Sequence, residues 1–123
     1  MNNKKKFDLN GRLINFVLSI INISELLPKS FAAKYIGSQL VRSGTSPALN
    51  YGEAQSAESR NDFIHKMKIS AKELRETFNC LKIIKKKNWH PEESLVPVLD
   101  ENNQLISIFV KSIETPKKNN PVK

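Results

Sequence analysis

Between Ser59 and Lys87 apolar residues return every three or four positions: Ile64, Met67, Ala71, Leu74, Phe78 and Leu81. That spacing lays them along one stripe of a long helix, a seam for lengthwise packing against other helices. Ser59 followed by Asp62 resembles a helix start signal, with Asp where Glu is usual. Lys85, Lys86 and Lys87 place cations at the far end, where the helix dipole favours them. Ile69, Cys80 and Ile83 form a weaker apolar patch farther round.

Upstream, the pattern predicts a first helix over about Asp8 to Leu26, with Leu9, Leu13, Phe16 or Val17, Ile20 and Ile23 on its main face. Ile14, Leu18 and Ile21 add apolar groups well off that face. A helix apolar on most sides is buried on most sides, so these residues point to contact with another subunit; the plainer reading is a broad core face with a few exposed Leu and Ile. Pro28 ends this helix and Ser30 can cap the next. In the second helix Tyr35, Ile36, Leu40 and Val41 supply apolar contacts. Pro47, which lacks an amide hydrogen, predicts a kink or a break near Gly44. Gln55 to Ser59 form the turn into the third helix. A fourth is expected from near Ser94 to about Ile113, using Leu95, Val98 or Leu99, Leu105 or Ile106, Phe109 and Ile113. Pro97 falls in its first turn, Asp100 and Glu101 suit its start and Lys111 its end. The loop between the last two helices holds Trp89 as an anchor. The whole reads as an all-α, up-and-down antiparallel four-helix bundle over residues 7–115, between disordered polar tails at 1–6 and 116–123.

Composition fits this picture. The chain has 123 residues, enough for one core, and only four Gly and six Pro. A single cysteine, Cys80, excludes an internal disulfide and a cysteine-built zinc site. The basic start followed by apolar residues has some likeness to a signal peptide, but Asn10, Arg12, Asn15 and Asn22 interrupt the run. The same residues count against a membrane span, so the expectation is a cytoplasmic, non-membrane protein. Charge changes the picture most: 20 Lys and Arg against 12 Asp and Glu leave a formal +8. Such a balance favours acidic partners, nucleic acid above all, although solubility alone also accounts for it.

Two polar patterns are superimposed on the helices. Gln39, Arg42, Ser43, Ser46, Asn50 and Glu53 make a stripe on the second helix. It is either a solvated face or a polar network of Gln39, Arg42, Asn50, Glu53 and Glu73 that fixes helix register, with Arg42 paired to Glu53 or Glu73. On the third helix Lys68, Lys72, Arg75, Asn79, Lys82 and Lys86 repeat at four and three, about a quarter-turn from the apolar seam. This basic edge is the candidate phosphate surface; its plainer reading is solvated lysine partly paired with Glu73 and Glu76.

Catalytic signals are missing. There is no phosphate loop, no GxSxG and no pair of CxxC motifs. Asp62 and His65 have the spacing of a helical carboxylate–histidine metal site. A bundle metal centre needs a second such pair, and the sequence has none. With Glu53 and Glu73 these residues define a metal-enzyme alternative, but the expectation is no catalytic residue, no metal and no cofactor. Cys80 reads as a buried or interface thiol.

Gln39-Leu40-Val41-Arg42-Ser43, then Ser46, Asn50 and Glu53, then Asp62-Phe63-Ile64 and Lys72-Glu73-Leu74-Arg75-Glu76, with their spacing, resemble the four helix bundle protein family. It is also called the 23S rRNA intervening-sequence protein family. The resemblance extends over most of residues 7–115. It implies an up-and-down bundle, commonly a homopentamer, and no enzyme. Some family genes lie within insertions in large-subunit rRNA genes. Similar accessory proteins of diversity-generating retroelements are basic bundles that bind nucleic acid and a reverse transcriptase. The chain departs from the family's Asn-Ile-Ala-Glu-Gly pattern, reading Asn50-Tyr51-Gly52-Glu53-Ala54, and Gly52 is expected to loosen the helix.

The resulting expectation is a non-enzymatic homo-oligomer that binds RNA or DNA through Lys68, Lys72, Arg75, Lys82, Lys85, Lys86 and Lys87. Aromatic residues for base stacking are scarce, because most Phe read as core and only Tyr51, Trp89 and some Phe are left. Backbone contacts with little sequence preference follow. The alternative is a protein-interaction scaffold on the same oligomer, with the charge serving solubility or an acidic protein.

Overall fold

The structure, a computed structural model, describes residues 8–119, with side chains from Asp8 to Glu114. The expected tail at 1–6 and the last residues of the chain lie outside this range. Four helices follow one another: α1 (Leu9–Glu25), α2 (Phe31–Gln55), α3 (Arg60–Lys86) and α4 (Glu92–Asn119). Each packs on the next, and α4 returns to α1 through a narrower contact, leaving α1–α3 and α2–α4 as diagonals. This is an antiparallel four-helix bundle.

Capping follows the sequence closely. Asp8 accepts from the Gly11 amide at 2.9 Å, Ser30 from Ala33 at 3.2 Å and Ser59 from Asp62 at 3.0 Å, each satisfying an amide that the first turn leaves open. At the end of α3, Asn88 takes the left-handed conformation with φ 57°. Its amide bonds the Lys85 carbonyl at 3.0 Å and the Trp89 amide bonds Ile84 at 3.1 Å. This is a Schellman closure with Asn in the usual glycine position. Trp89 then packs partly buried against the core, as its loop position predicts.

The core is built from Leu9, Leu13, Phe16, Ile20 and Ile23 of α1, Ala33, Leu40 and Ala48 of α2, Met67, Leu74, Leu81 and Ile84 of α3, and Leu95, Leu105 and Phe109 of α4. Gly44 permits close approach of α1 and α2, and Gly37 makes room for Leu27 of the turn between them. A Cβ on Gly44 would stand 3.0 Å from two carbons of the buried Ile20 side chain.

Several expectations need correction. α2 neither stops at Gly44 nor restarts; it runs unbroken through the buried Pro47 to Gln55. Gly52 lies within that helix with open space around it, so tertiary packing elsewhere overrides its poor propensity. α4 begins at Glu92, with Glu92 and Glu93 as its first-turn acids. Pro97 is therefore in the second turn, and Asp100 and Glu101 lie mid-helix. The helix continues to Asn119, past the expected end near Ile113 and into the stretch assigned to the tail.

The buried face of α3 is also rotated from its apolar seam. Ile64 and Phe78 are only partly buried, while Ser70, Thr77, Cys80 and Ile84 are buried. The polar members are accommodated by hydrogen bonds, as buried polar groups require. The Thr77 and Ser43 hydroxyls lie 2.8 Å apart, Thr77 reaches the Glu73 carbonyl at 2.9 Å and Ser70 reaches that of Lys66 at 3.1 Å. On α4 the fully buried Asn102 donates to the Leu74 carbonyl at 3.0 Å.

Candidate nucleic-acid interface

Because the buried face of α3 is rotated, the basic edge stands nearly opposite the core rather than a quarter-turn from the seam. Lys68, Lys72, Arg75, Lys82 and Lys86 are all exposed along one side of α3. The row is about 27 Å long at 1.5 Å per residue. None of these cations forms an ion pair with a described residue. The ammonium of Lys82 lies over the Phe78 ring at 5.1 Å, which holds its stem without neutralising it.

These charges stay unneutralised because α3 places almost no acid a turn away from them. Glu76, four residues after Lys72, is the one α3 carboxylate a turn away from a member of the row, and Arg42 of α2 holds it together with Glu73. Arg42 bonds Glu76, donates to Glu73 at 3.0 Å and to Gln39 at 3.1 and 3.3 Å. The bonds to Glu76 and then Glu73 raise the Arg42 pKa further. One guanidinium thus ties two helices together and takes Glu76 from Lys72.

The structure brings together part of the expected polar network. Gln39, Arg42 and Glu73 form it, joined by Glu76, and it lies at the surface. Asn50 and Glu53 are elsewhere: Asn50 donates to Ser46 at 2.9 Å and Glu53 accepts from Lys66 at 3.4 Å. Of the expected phosphate-binding residues, Lys85 departs from the row and pairs with Glu92 at 3.6 Å. Lys87 caps α3 and its ammonium lies 5.8 Å from the Trp89 ring centroid.

The sequence pattern hid two kinds of residue. Tyr35, expected among apolar contacts, is exposed, and so is Phe31. Tyr51, a stacking candidate, instead meets the Phe109 ring edge-on at 6.1 Å and is partly buried. Asn102, Ser70 and Thr77 occupy core positions that hydrophobicity alone could not assign. Their signal was spacing, since Asn102 is seven residues from both Leu95 and Phe109.

Arg12 of α1 clamps Glu101 of α4 through two bonds, of 2.6 and 2.9 Å, and reaches Gln104 at 3.1 Å. This bond to Glu101 raises the Arg12 pKa. It closes the narrow side of the bundle beside a shallow groove lined by Asn15, Phe16, Ser19, Pro97 and Val98. Burial pushes the Cys80 thiol up, which keeps it protonated and unreactive at neutral pH. Asp62 and His65 do not converge with other ligands: among the described residues no three His, Cys, Asp or Glu side chains come together. No described helix is long and apolar enough to cross a membrane.

A four-helix bundle with a one-signed outer helix face is thus the class of protein that fold and surface define. The 23S rRNA-intervening sequence protein family matches residues 5–111, and the chain belongs to that family. Among solved structures it is similar to a protein of unknown function from the S23 ribosomal protein family of Bacteroides thetaiotaomicron VPI-5482. The TM-score is 0.80 at 28% identity, over 86% of this chain and 98% of the other. A search of curated proteins found no significant match.

Proposed function

We propose that this protein is a non-enzymatic, homo-oligomeric bundle of the cytoplasm that binds RNA or DNA by its phosphates through the outer face of α3. The observation that carries the reading is the row of five α3 cations on one exposed face with no carboxylate partner among the described residues, Glu76, the one acid a turn from the row, being held by Arg42. A solvated face serving solubility would be expected to interleave both signs. Self-association is supported by Ile14 and Leu18, 47% and 53% exposed on the outside of α1. The family resemblance favours a pentamer.

The test is binding to labelled RNA and duplex DNA across a salt series, with the oligomer fixed by light scattering. Affinity should fall linearly on a log–log plot, with a slope of about −0.9 per phosphate contacted on duplex. Absence of binding at low salt, from a folded oligomer, would overturn the reading. The exposed Ile14 and Leu18 also favour a second reading, a protein-interaction scaffold. Recovery of a protein partner that survives nuclease treatment would support it.

A further inference from the structure

We propose that the end of the bundle holding the α1–α2 and α3–α4 turns is a site for single-stranded nucleic acid. Bases stack on Phe31 and Tyr35 while Lys34, Lys86 and Lys87 hold the adjoining phosphates. The inference rests on the phosphate-binding reading above and extends it from backbone to bases.

Phe31 is 86% exposed and Tyr35 56% exposed. They stand one turn apart on the side of α2 opposite its buried Ala33, Gly37 and Leu40. Neither ring contributes to the core. Most of the chain's other aromatic residues are at least partly buried, as Phe16, Phe63, Phe109, Tyr51 and Trp89 are. Placing two large rings in solvent leaves apolar surface that folding does not use.

Their surroundings are cationic. The Arg42–Glu73, Arg42–Glu76 and Ser43–Thr77 contacts set the antiparallel register of α2 against α3. Two turns back along α2 and two turns forward along α3, Tyr35 comes level with Ile83. A further turn brings Phe31 level with Lys86 and Lys87. Lys34 flanks the rings on the α1 side and borders, with Lys29, a groove of about 310 Å³ that Glu25 also lines. Over residues 24–35 and 82–93, this end carries six lysines against Glu25, Glu92 and Glu93, and Glu92 is engaged by Lys85. The α2–α3 turn at the other end, residues 50–66, carries Glu53, Glu58 and Asp62 against Arg60 and Lys66.

Exposed rings among lysines match the two demands of a single strand: π-faces for bases and cations for the backbone. Four residues of helix separate the rings by about 6 Å. That is wider than the stacked step of a duplex, about 3.4 Å, so an unstacked strand can offer one base to each ring. Pairing this patch with itself on a second copy would bring Lys34, Lys86 and Lys87 against like charges.

The experiment compares oligothymidylate with a duplex of equal length, using the full chain and the variant Phe31→Ala/Tyr35→Ala. Single-strand affinity should fall by roughly 5- to 150-fold per ring. Duplex affinity, salt slope and oligomer mass should not change. A second variant, Phe31→Leu/Tyr35→Leu, keeps apolar bulk without a π-face and should lose the same single-strand affinity. Unchanged single-strand affinity alongside intact duplex binding overturns the stacking site and leaves the phosphate surface standing. Full affinity in the Leu variant, or an altered oligomer mass, assigns the rings to a protein contact and also overturns it. Failure of the unmodified protein to bind either probe defeats both readings.

Discussion

Replacing Phe109 by Ala is expected to cost about 3–5 kcal/mol of folding stability, while the same change at Phe31 costs less than about 0.5 kcal/mol. Phe109 is fully buried, packs edge-on against Tyr51 and sits on the face of α4 that closes the core. Truncation removes the burial of a whole ring and leaves a cavity that rigid helices collapse only in part. A domain of this size has about 5–15 kcal/mol in total, so the variant is left marginal. Phe31 touches solvent over most of its surface, and its removal empties nothing. Urea midpoints at one fixed protein concentration check the pair, the fixed concentration being needed because association contributes to stability. Equal losses at the two positions would contradict the burial assigned to them.

Changing Lys72, Arg75 and Lys82 together to Gln should reduce the salt slope of nucleic-acid binding by about three units. At 0.1 M salt the same loss of counterion release amounts to roughly a few hundredfold in affinity. All three side chains are exposed and none pairs with a described carboxylate, so the fold should survive. Circular dichroism and the urea midpoint establish that it does. A slope unchanged by the triple substitution removes this face from the account.

How much of this was legible in the sequence follows from the physics of each element. α1 was readable almost to the residue, because Asp8 caps it, Pro28 follows it and its core positions are all large and apolar. α2 was harder. Pro47 is ordinarily a breaker, yet it sits buried inside an unbroken helix. The buried face of α3 was misplaced because Ser70 and Thr77 are polar; satisfying their hydroxyls locally and across to Ser43 makes their burial tolerable. The basic row was visible from its four-and-three spacing. The engagement of Glu76, the one acid a turn from the row, was not, because that depends on Arg42 crossing from α2. Spacing likewise could not show that Phe31 and Tyr35 face outward. They stand near the start of α2, where neighbours are few, and hydrophobicity alone assigned Tyr35 inward.

The most direct test of the phosphate surface is lysine acetylation footprinting of the protein with and without saturating duplex. Bound duplex is expected to slow modification of Lys68, Lys72, Lys82 and Lys86 severalfold, while the exposed Lys111 of α4 reacts as before. Unprotected α3 lysines in a complex that demonstrably forms, or protection centred on Lys111, would contradict the phosphate surface.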